Sequence, residues 1–287
     1  MASTSGTPDT GLGVLGPDEI RLLRTFDSLV LTWAQQVQAP EHRYPFLLRA
    51  ADLEDIDYYE NFPHLGLAAT STDPGRLSAL RSGAEEPLRE LPSSVLNDTG
   101  LALPSAACYS VYFDLRGQTL PADENRVTTV ATCFRNETHY EGLRRLLGFS
   151  MREVVFVGTP EGATEHLERF KALVLGLADQ LGLKMELQVA TDPFFDGTGS
   201  RAKMQQLFPV KEEFVVDDLA IGSVNYHRNF FGERCEISLP DGRPASTSCS
   251  AFGLERWLHT LIARFGDART ATEALLEADL LTSEVNR

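Results

Sequence analysis

The residues best suited to chemistry in this chain lie in one stretch, 132–153, TCFRNETHYEGLRRLLGFSMRE. Arg135 and Glu137 stand two apart at the end of a β-branched, apolar run, 126–134, so the strand period aims both the same way. A polar loop containing Gly142 follows, and the apolar run 149–157 returns as a second strand. Arg144, Arg145 and Arg152 lie in that loop and on the return strand. Such an arginine cluster suits a polyphosphate, because each guanidinium pairs phosphate oxygens two at a time. Phe149 offers a ring on which a base can stack. Arg and Glu alternating on a hairpin also occur as a solvated face with weak ion pairs, so the hairpin alone leaves both readings open.

Arg256 is a second candidate. It falls in the first turn of a helix whose apolar stripe is Leu254, Trp257, Leu258, Leu261, Ile262 and Phe265, closed by Gly266. Phosphate binds well at a helix N-terminus, where unpaired N–H groups and the dipole point outward. The chain has four cysteines, Cys108, Cys133, Cys235 and Cys249, with no Cys-x-x-Cys pair. Their spacing does not separate metal ligands from buried, inert thiols.

The elements that must position these groups follow from pattern. Residues 1–16 are small and polar and are expected to be disordered. They include Gly11-x-Gly13-x-x-Gly16, but no strand precedes it, so a dinucleotide site is rejected. Pro17 opens a helix over 18–37. Residues 44–67 mix a helical pattern with a proline-containing end at Pro63, and a helical fragment lies near 76–81 in a loop-rich stretch. A strand is expected over 108–113. Thr159-Pro160 caps a helix that carries Leu167, Phe170, Val174, Leu177 and Leu181 on one face and ends at Gly182. Further strands are expected at 185–190, 214–216, 220–226 and 234–239, with a Gly-rich loop after Phe195. The helix beginning near Gly253 is the last clear one.

Composition narrows the classes. The length of 287 residues fits one large domain or two small ones, and 43% hydrophobic content suits a sizeable core. No run approaches the ~20 apolar residues of a membrane span. No basic-then-apolar leader stands at the N-terminus, so a cytoplasmic protein is expected. The formal net charge of -15 gives no general attraction for nucleic acid.

The order of strand, Phe134-Arg135-x-Glu137, loop, arginine pair, Phe149 and strand resembles motif 2 of the class II aminoacyl-tRNA synthetases. The run Phe252-Gly253-Leu254-Glu255-Arg256 resembles motif 3, and 58–67 with Pro63 resembles motif 1, the dimer interface. The resemblance covers most of 44–266. It implies an α+β fold, a central antiparallel sheet flanked by helices, with 17–287 as a single catalytic domain. It implies Arg135 on the α-phosphate and amino-acid carboxylate, Arg256 on the γ-phosphate, and Phe149 on adenine. Glu137 would meet adenine or the amino acid, Arg145 would join the ATP site, and Asn225 the substrate. Family members carry a Mg2+-binding carboxylate on the strand before motif 3; here that strand reads 220–225 and has no acid, leaving Asp217, Asp218 and Glu236 as nearby candidates.

On the antiparallel sheet that this resemblance implies, Cys108, Glu153 and Cys249 would be expected to converge beside the amino-acid pocket. Two thiols and a carboxylate are good Zn2+ ligands that leave a fourth position open. The triple resembles the unusual seryl-tRNA synthetases of methanogens and the shorter amino acid:[carrier protein] ligases. About 40 residues precede the matching stretch, too few for a tRNA-binding domain. The expectation is therefore ATP-dependent activation of a small amino acid, glycine or alanine. Transfer to the phosphopantetheine thiol of a holo carrier protein would follow, with no tRNA, in a homodimer. The alternatives are a synthetase-like enzyme charging tRNA or a protein side chain, and a non-catalytic regulatory relative. Intact Arg135, Glu137, Phe149 and Arg256 oppose the last.

Overall fold

The computed structural model describes residues 10–84, 86–192, 194–196 and 210–285. Helix α1 spans Pro17–Gln36, and two short helices, α2 (Ala50–Asp55) and α3 (Tyr58–Asn61), follow strand β1 (Leu48–Arg49). Next come β2 (Ala68–Thr72), α4 (Pro74–Ser82), β3 (Leu96–Ala102), α5 (Tyr109–Asp114), β4 (Glu124–Phe134) and β5 (Gly148–Gly158). The chain continues through α6 (Pro160–Gln180), β6 (Met185–Ala190), β7 (Lys211–Val216) and β8 (Leu219–Arg228). It ends with α7 (Phe230–Arg234), β9 (Ser246–Gly253), α8 (Leu254–Phe265) and α9 (Ala268–Val285).

The central sheet has the order β4-β5-β9-β8-β7-β6, every neighbouring pair antiparallel. A smaller antiparallel sheet has the order β1-β3-β2. Side chains alternate across a strand, and β5 shows what that does here. Val154 and Phe156 turn to the helix-covered face, where Val154 joins a core with Phe26 and Trp33 of α1, Phe170 of α6 and Trp257 of α8. Val155 and Val157 turn the other way, into a second core with Val111 and Tyr112 of α5, Phe231 and Cys249. Between these cores the sheet is dry on both sides, since Val154, Val155 and Phe156 are fully buried.

Local chemistry sets the element ends. Thr159 accepts a hydrogen bond from the Gly162 amide at 3.2 Å, with Pro160 at the first helical position, so α6 starts where expected. Gly182 at φ 62 turns the chain out of that helix.

Four expectations change. Residues 109–114 are helical, and Cys108 is the N-cap residue of α5 instead of a strand residue. The amides of Ala107 and Cys108 donate to Glu153 Oε1 at 2.8 and 3.1 Å, which rolls this β-prone segment into a turn of helix. Residues 234–239 add no strand to the central sheet; they leave α7 and run along Gln118 and Arg243 by isolated bonds. Helix α9 lies beyond the helix expected to be last, and it packs on α1 and α8. Residues 11–16 do not stand free: the Leu147 amide donates to the Gly11 carbonyl at 2.9 Å. The expected tail over 1–9, and the Gly-rich loop expected after Phe195, lie outside the described residues.

Candidate active site

Antiparallel β4 and β5 place Arg135, Glu137, Arg145 and Phe149 around one mouth. Phe134 pairs with Gly148, and the Arg135 amide donates to the Leu147 carbonyl at 3.0 Å just beyond the ladder. The Arg135 guanidinium donates to the Ser105 carbonyl from Nε and Nη2 at 3.3 and 3.2 Å and lies 5.2 Å from the Phe149 ring centre. Arg145 pairs with Glu137 at 2.5 Å. Arg256, on the first turn of α8, reaches the same cleft. Its Nε donates to the Arg144 carbonyl at 2.8 Å and its Nη1 to the Ala220 carbonyl at 2.9 Å. Burial, with Arg135 and Arg145 close by, lowers the Arg256 guanidinium to about 10. Three guanidiniums crowded in a partly dry cleft call for an anion.

Two more expectations are corrected here. Arg152 is not part of the cleft. It is 1% exposed on the helix-covered face of β5, where Nε and Nη2 hold Asp27 of α1 at 2.7 and 2.9 Å and Nη2 also meets Glu41 at 2.8 Å. Its neighbour Glu153 faces the site, so one step along the strand separates a structural arginine from a site carboxylate. Asp217, Asp218 and Glu236 do not line the cleft. Asp218 pairs with Arg144 at 2.9 Å, and Glu236 sits in the turn after α7. The strand directly before α8 is β9; β8, which was expected to fill that place, lies next to it in the sheet. The carboxylates lining the cleft are Glu137, Glu213 and Glu255. Glu255 is spent on the Ser150 amide, at 2.8 and 3.0 Å, and burial raises it.

A second cavity, about 420 Å³, adjoins the first. Arg135, Met151, Lys211, Ser223 and Ala251 line both. On its floor, Cys108, Glu153 and Cys249 bring their donor atoms within 4.8 Å of one another, all three buried. They arrive from α5, β5 and β9, neighbours only because β5 pairs with β9 and α5 packs under both. Hydrogen bonding to Cys249, burial and the Glu153 carboxylate together push the Cys108 thiol up. Glu153 Oε1 is satisfied by two amides, while Oε2 is buried without a partner. An orphaned carboxylate oxygen beside two thiols fits a thiophilic divalent cation such as Zn2+. Cys133 and Cys235 are buried outside the group. Asn225 sits opposite Cys249 across β8 and β9, with Nδ2 3.4 Å from its sulfur.

Sequence reasoning missed His227, Lys211 and Glu213. His227 lines the second cavity two residues beyond Asn225 on β8; burial lowers it to about 4, so the ring is neutral at physiological pH. Its position at Asn225 + 2 was the available signal. Lys211 bonds Asp192 at 3.3 Å and Glu213 at 3.1 Å.

No protein-family model matches the chain. Solved structures with the same fold are class II aminoacyl-tRNA synthetases. M. kandleri SerRS, solved with A. aeolicus tRNASec, superposes with a TM-score of 0.78 over 95% of this chain and 57% of that one, at 20% identity. The cytoplasmic serine–tRNA ligase of Naegleria fowleri, with AMP, gives 0.67 over 92% of this chain and 54% of that one, at 11% identity. The fold is therefore that of the class II synthetase catalytic core. Two curated relatives from Bradyrhizobium diazoefficiens, amino acid–[acyl-carrier-protein] ligases 1 and 2, are 34% and 32% identical, each across 75% of this chain and across 68% and 66% of their own lengths. The type-2 serine–tRNA ligase of Methanocaldococcus jannaschii is 26% identical over 63% of this chain and 37% of its own. The chain belongs to the amino acid–[acyl-carrier-protein] ligase family.

Proposed function

We propose that this enzyme activates a small amino acid, glycine or alanine, with ATP and passes the acyl group to the phosphopantetheine thiol of a holo carrier protein. The observation that carries this reading is the shared wall of the two cavities. Arg135 lines both, with the arginine cleft on one side and the Cys108/Glu153/Cys249 group on the other.

In the arginine cleft, ATP would meet Arg135 at the α-phosphate, Arg256 and Arg145 further along the polyphosphate, and Phe149 at adenine. Glu137 stands where the adenine or the amino acid would end. The amino-acid carboxylate attacks the α-phosphorus; an O–P bond forms, the bond from the α-phosphorus to the α,β-bridging oxygen breaks, and pyrophosphate leaves with that oxygen. The incoming thiol then loses its proton and attacks the acyl carbon, and AMP departs with the electron pair. Arg135 opposes the charge that gathers on the α-phosphate oxygens, a task better done by a fixed group than by water. Glu213 is the cleft carboxylate assigned here to Mg2+: its partner is the Lys211 ammonium at 3.1 Å, while Glu255 is bound to an amide and Glu137 to Arg145.

Cys108, Glu153 and Cys249 would hold Zn2+, which when bound offers its fourth position to the substrate amino group. Asn225, on the wall above, orients Cys249 and the substrate. The relatives and the net charge of -15 both favour a protein acceptor over tRNA. A homodimer is supported by the arm at 68–101, where Val95 alone is buried among the described residues. A segment burying so little is poorly paid for in one chain and is a natural place for a second copy. Sedimentation equilibrium showing only monomer at micromolar concentration would count against that dimer.

The test is amino-acid-dependent ATP–pyrophosphate exchange across the standard amino acids, then transfer of radiolabelled glycine or alanine to holo carrier, apo carrier or total tRNA. Exchange peaking at a small amino acid, with label on holo carrier alone, is expected. Label reaching tRNA faster than carrier would overturn the acceptor, and label on apo carrier would overturn the thiol step.

A further inference from the structure

Cys249 is treated differently from Cys108. Asn225 and His227 stand two apart on β8, and both reach the Cys249 sulfur: Asn225 Nδ2 at 3.4 Å and His227 Nε2 at 3.8 Å. His227 is not in the three-donor group, so it touches a ligand without completing the ligand set.

The far side of the ring decides which nitrogen carries the proton. Nδ1 lies 3.3 Å from the Tyr112 hydroxyl and 3.2 Å from the Thr247 hydroxyl. Tyr112 and Thr247 are both fully buried. Among the described residues these two hydroxyls have no other side-chain or backbone hydrogen-bond partner than Nδ1. Each hydroxyl carries a proton to donate, and a bare Nδ1 is the acceptor they face. A proton on Nδ1 would remove the ring's lone pair there and leave both hydroxyl protons without an acceptor in a dry site. The proton therefore sits on Nε2, facing sulfur.

We infer that His227, as the Nε2–H tautomer fixed by Tyr112 and Thr247, is a positioning residue that donates a hydrogen bond to the Cys249 sulfur. The bond turns that sulfur toward the cluster and draws electron density from it, whereas Cys108 keeps its full donor strength. A cation in this group then has two unequal sulfur ligands. This inference rests on the metal reading above.

Two measurements test it. The first needs no metal: 15N NMR of histidine-labelled, metal-free protein should show His227 protonated on Nε2, and protonation on Nδ1 would overturn the inference. The second replaces the metal with Co2+. Wild-type protein should show a thiolate-to-cobalt charge-transfer band. In folded His227→Phe that band should move to lower energy, because an unbonded sulfur gives up electrons more readily, and Co2+ affinity by chelator competition should fall about 10–100-fold. His227→Gln, with an amide nitrogen of similar reach, should restore both. A merely structural histidine would weaken affinity without moving the band and would not be rescued by Gln. Should the Phe variant not fold, His227→Asn withdraws the donor while staying polar, and the same band shift is expected. A wild-type band that is unchanged in the folded variants overturns this inference alone. No band in wild type overturns the metal reading and the inference with it.

Discussion

Arg256→Ala is the sharpest probe of the arginine cleft. A guanidinium has five N–H groups. Two of them, on Nε and Nη1, are bonded to the Arg144 and Ala220 carbonyls, leaving three to face a ligand. The side chain is thus anchored by backbone and needs no reorganisation when charge develops on phosphate. Removing one such preorganised donor costs about 2.7–4 kcal/mol, on the order of 10²–10³ in rate. A unit charge about 4 Å from a phosphate at an effective dielectric near 20 gives about 4 kcal/mol, the same size. The expected outcome is a fall of that order in kcat/KM for ATP in pyrophosphate exchange. Arg256→Lys should recover little, because an ammonium cannot hold two divergent carbonyls and a phosphate together. The assay is run on protein whose thermal transition matches wild type. Wild-type exchange from folded Arg256→Ala would refute the reasoning, because the two carbonyl bonds of Arg256 bear on folding and its remaining donors on the ligand.

Three further outcomes are expected. Wild-type protein should carry one zinc per chain by elemental analysis, and a Cys108→Ala/Cys249→Ala double variant should carry none; zinc retained at full stoichiometry would show the ligands to be misassigned. Arg152→Ala should lose about 1–3 kcal/mol in urea unfolding, because it removes a buried side chain and its hydrogen bonds to Asp27 and Glu41, which themselves reach water; an unchanged or raised stability would contradict that account. His166, buried against the Val154 carbonyl at 3.1 Å, is lowered to about 4 by burial, against about 6.5 unfolded. The unfolded chain binds that proton first, so stability is full above pH 6.5 and falls by about 3 kcal/mol as pH drops toward 4; His166→Phe should flatten that part of the stability profile, and an unchanged slope would refute the assignment.

The reading of fold and site from sequence succeeded where pattern and packing agree. Strands β4 and β5 are β-branched runs, and α1, α6 and α8 carry stripes at helical spacing that the first core accepts. Cys108, Glu153 and Cys249, singled out through the family resemblance, stand together in the structure, although Cys108 enters from the start of α5 and not from a strand. Failure came where tertiary contact overrules local preference. The segment CYSVYF has strand composition, yet Glu153 captures the two amides that begin α5. Arg152 reads like its arginine neighbours until the strand's facing is known. His227 had only its place two residues beyond Asn225 to mark it, because its partners Tyr112 and Thr247 are 115 and 20 residues away in sequence. Helix α9 was legible in its Ala, Leu and Glu content and in Asp267 just before it, whose carboxylate accepts from the Arg269 and Thr270 amides at 2.9 Å.

The facing of β5 also bears on how such a chain can vary between lineages. Its odd-numbered site residues and its even-numbered framework residues share one backbone, and each is read through its register with β4 and β9. A substitution there changes one face. A one-residue deletion would carry Arg152 to the cavity and Glu153 into the helix layer at once, with no partial remedy. The loop at 135–147 has no ladder register to keep, and its stretch 138–142 supplies no residue to the cleft. Length differences between relatives should therefore gather in that loop, while the strand beside it changes letters without changing its count.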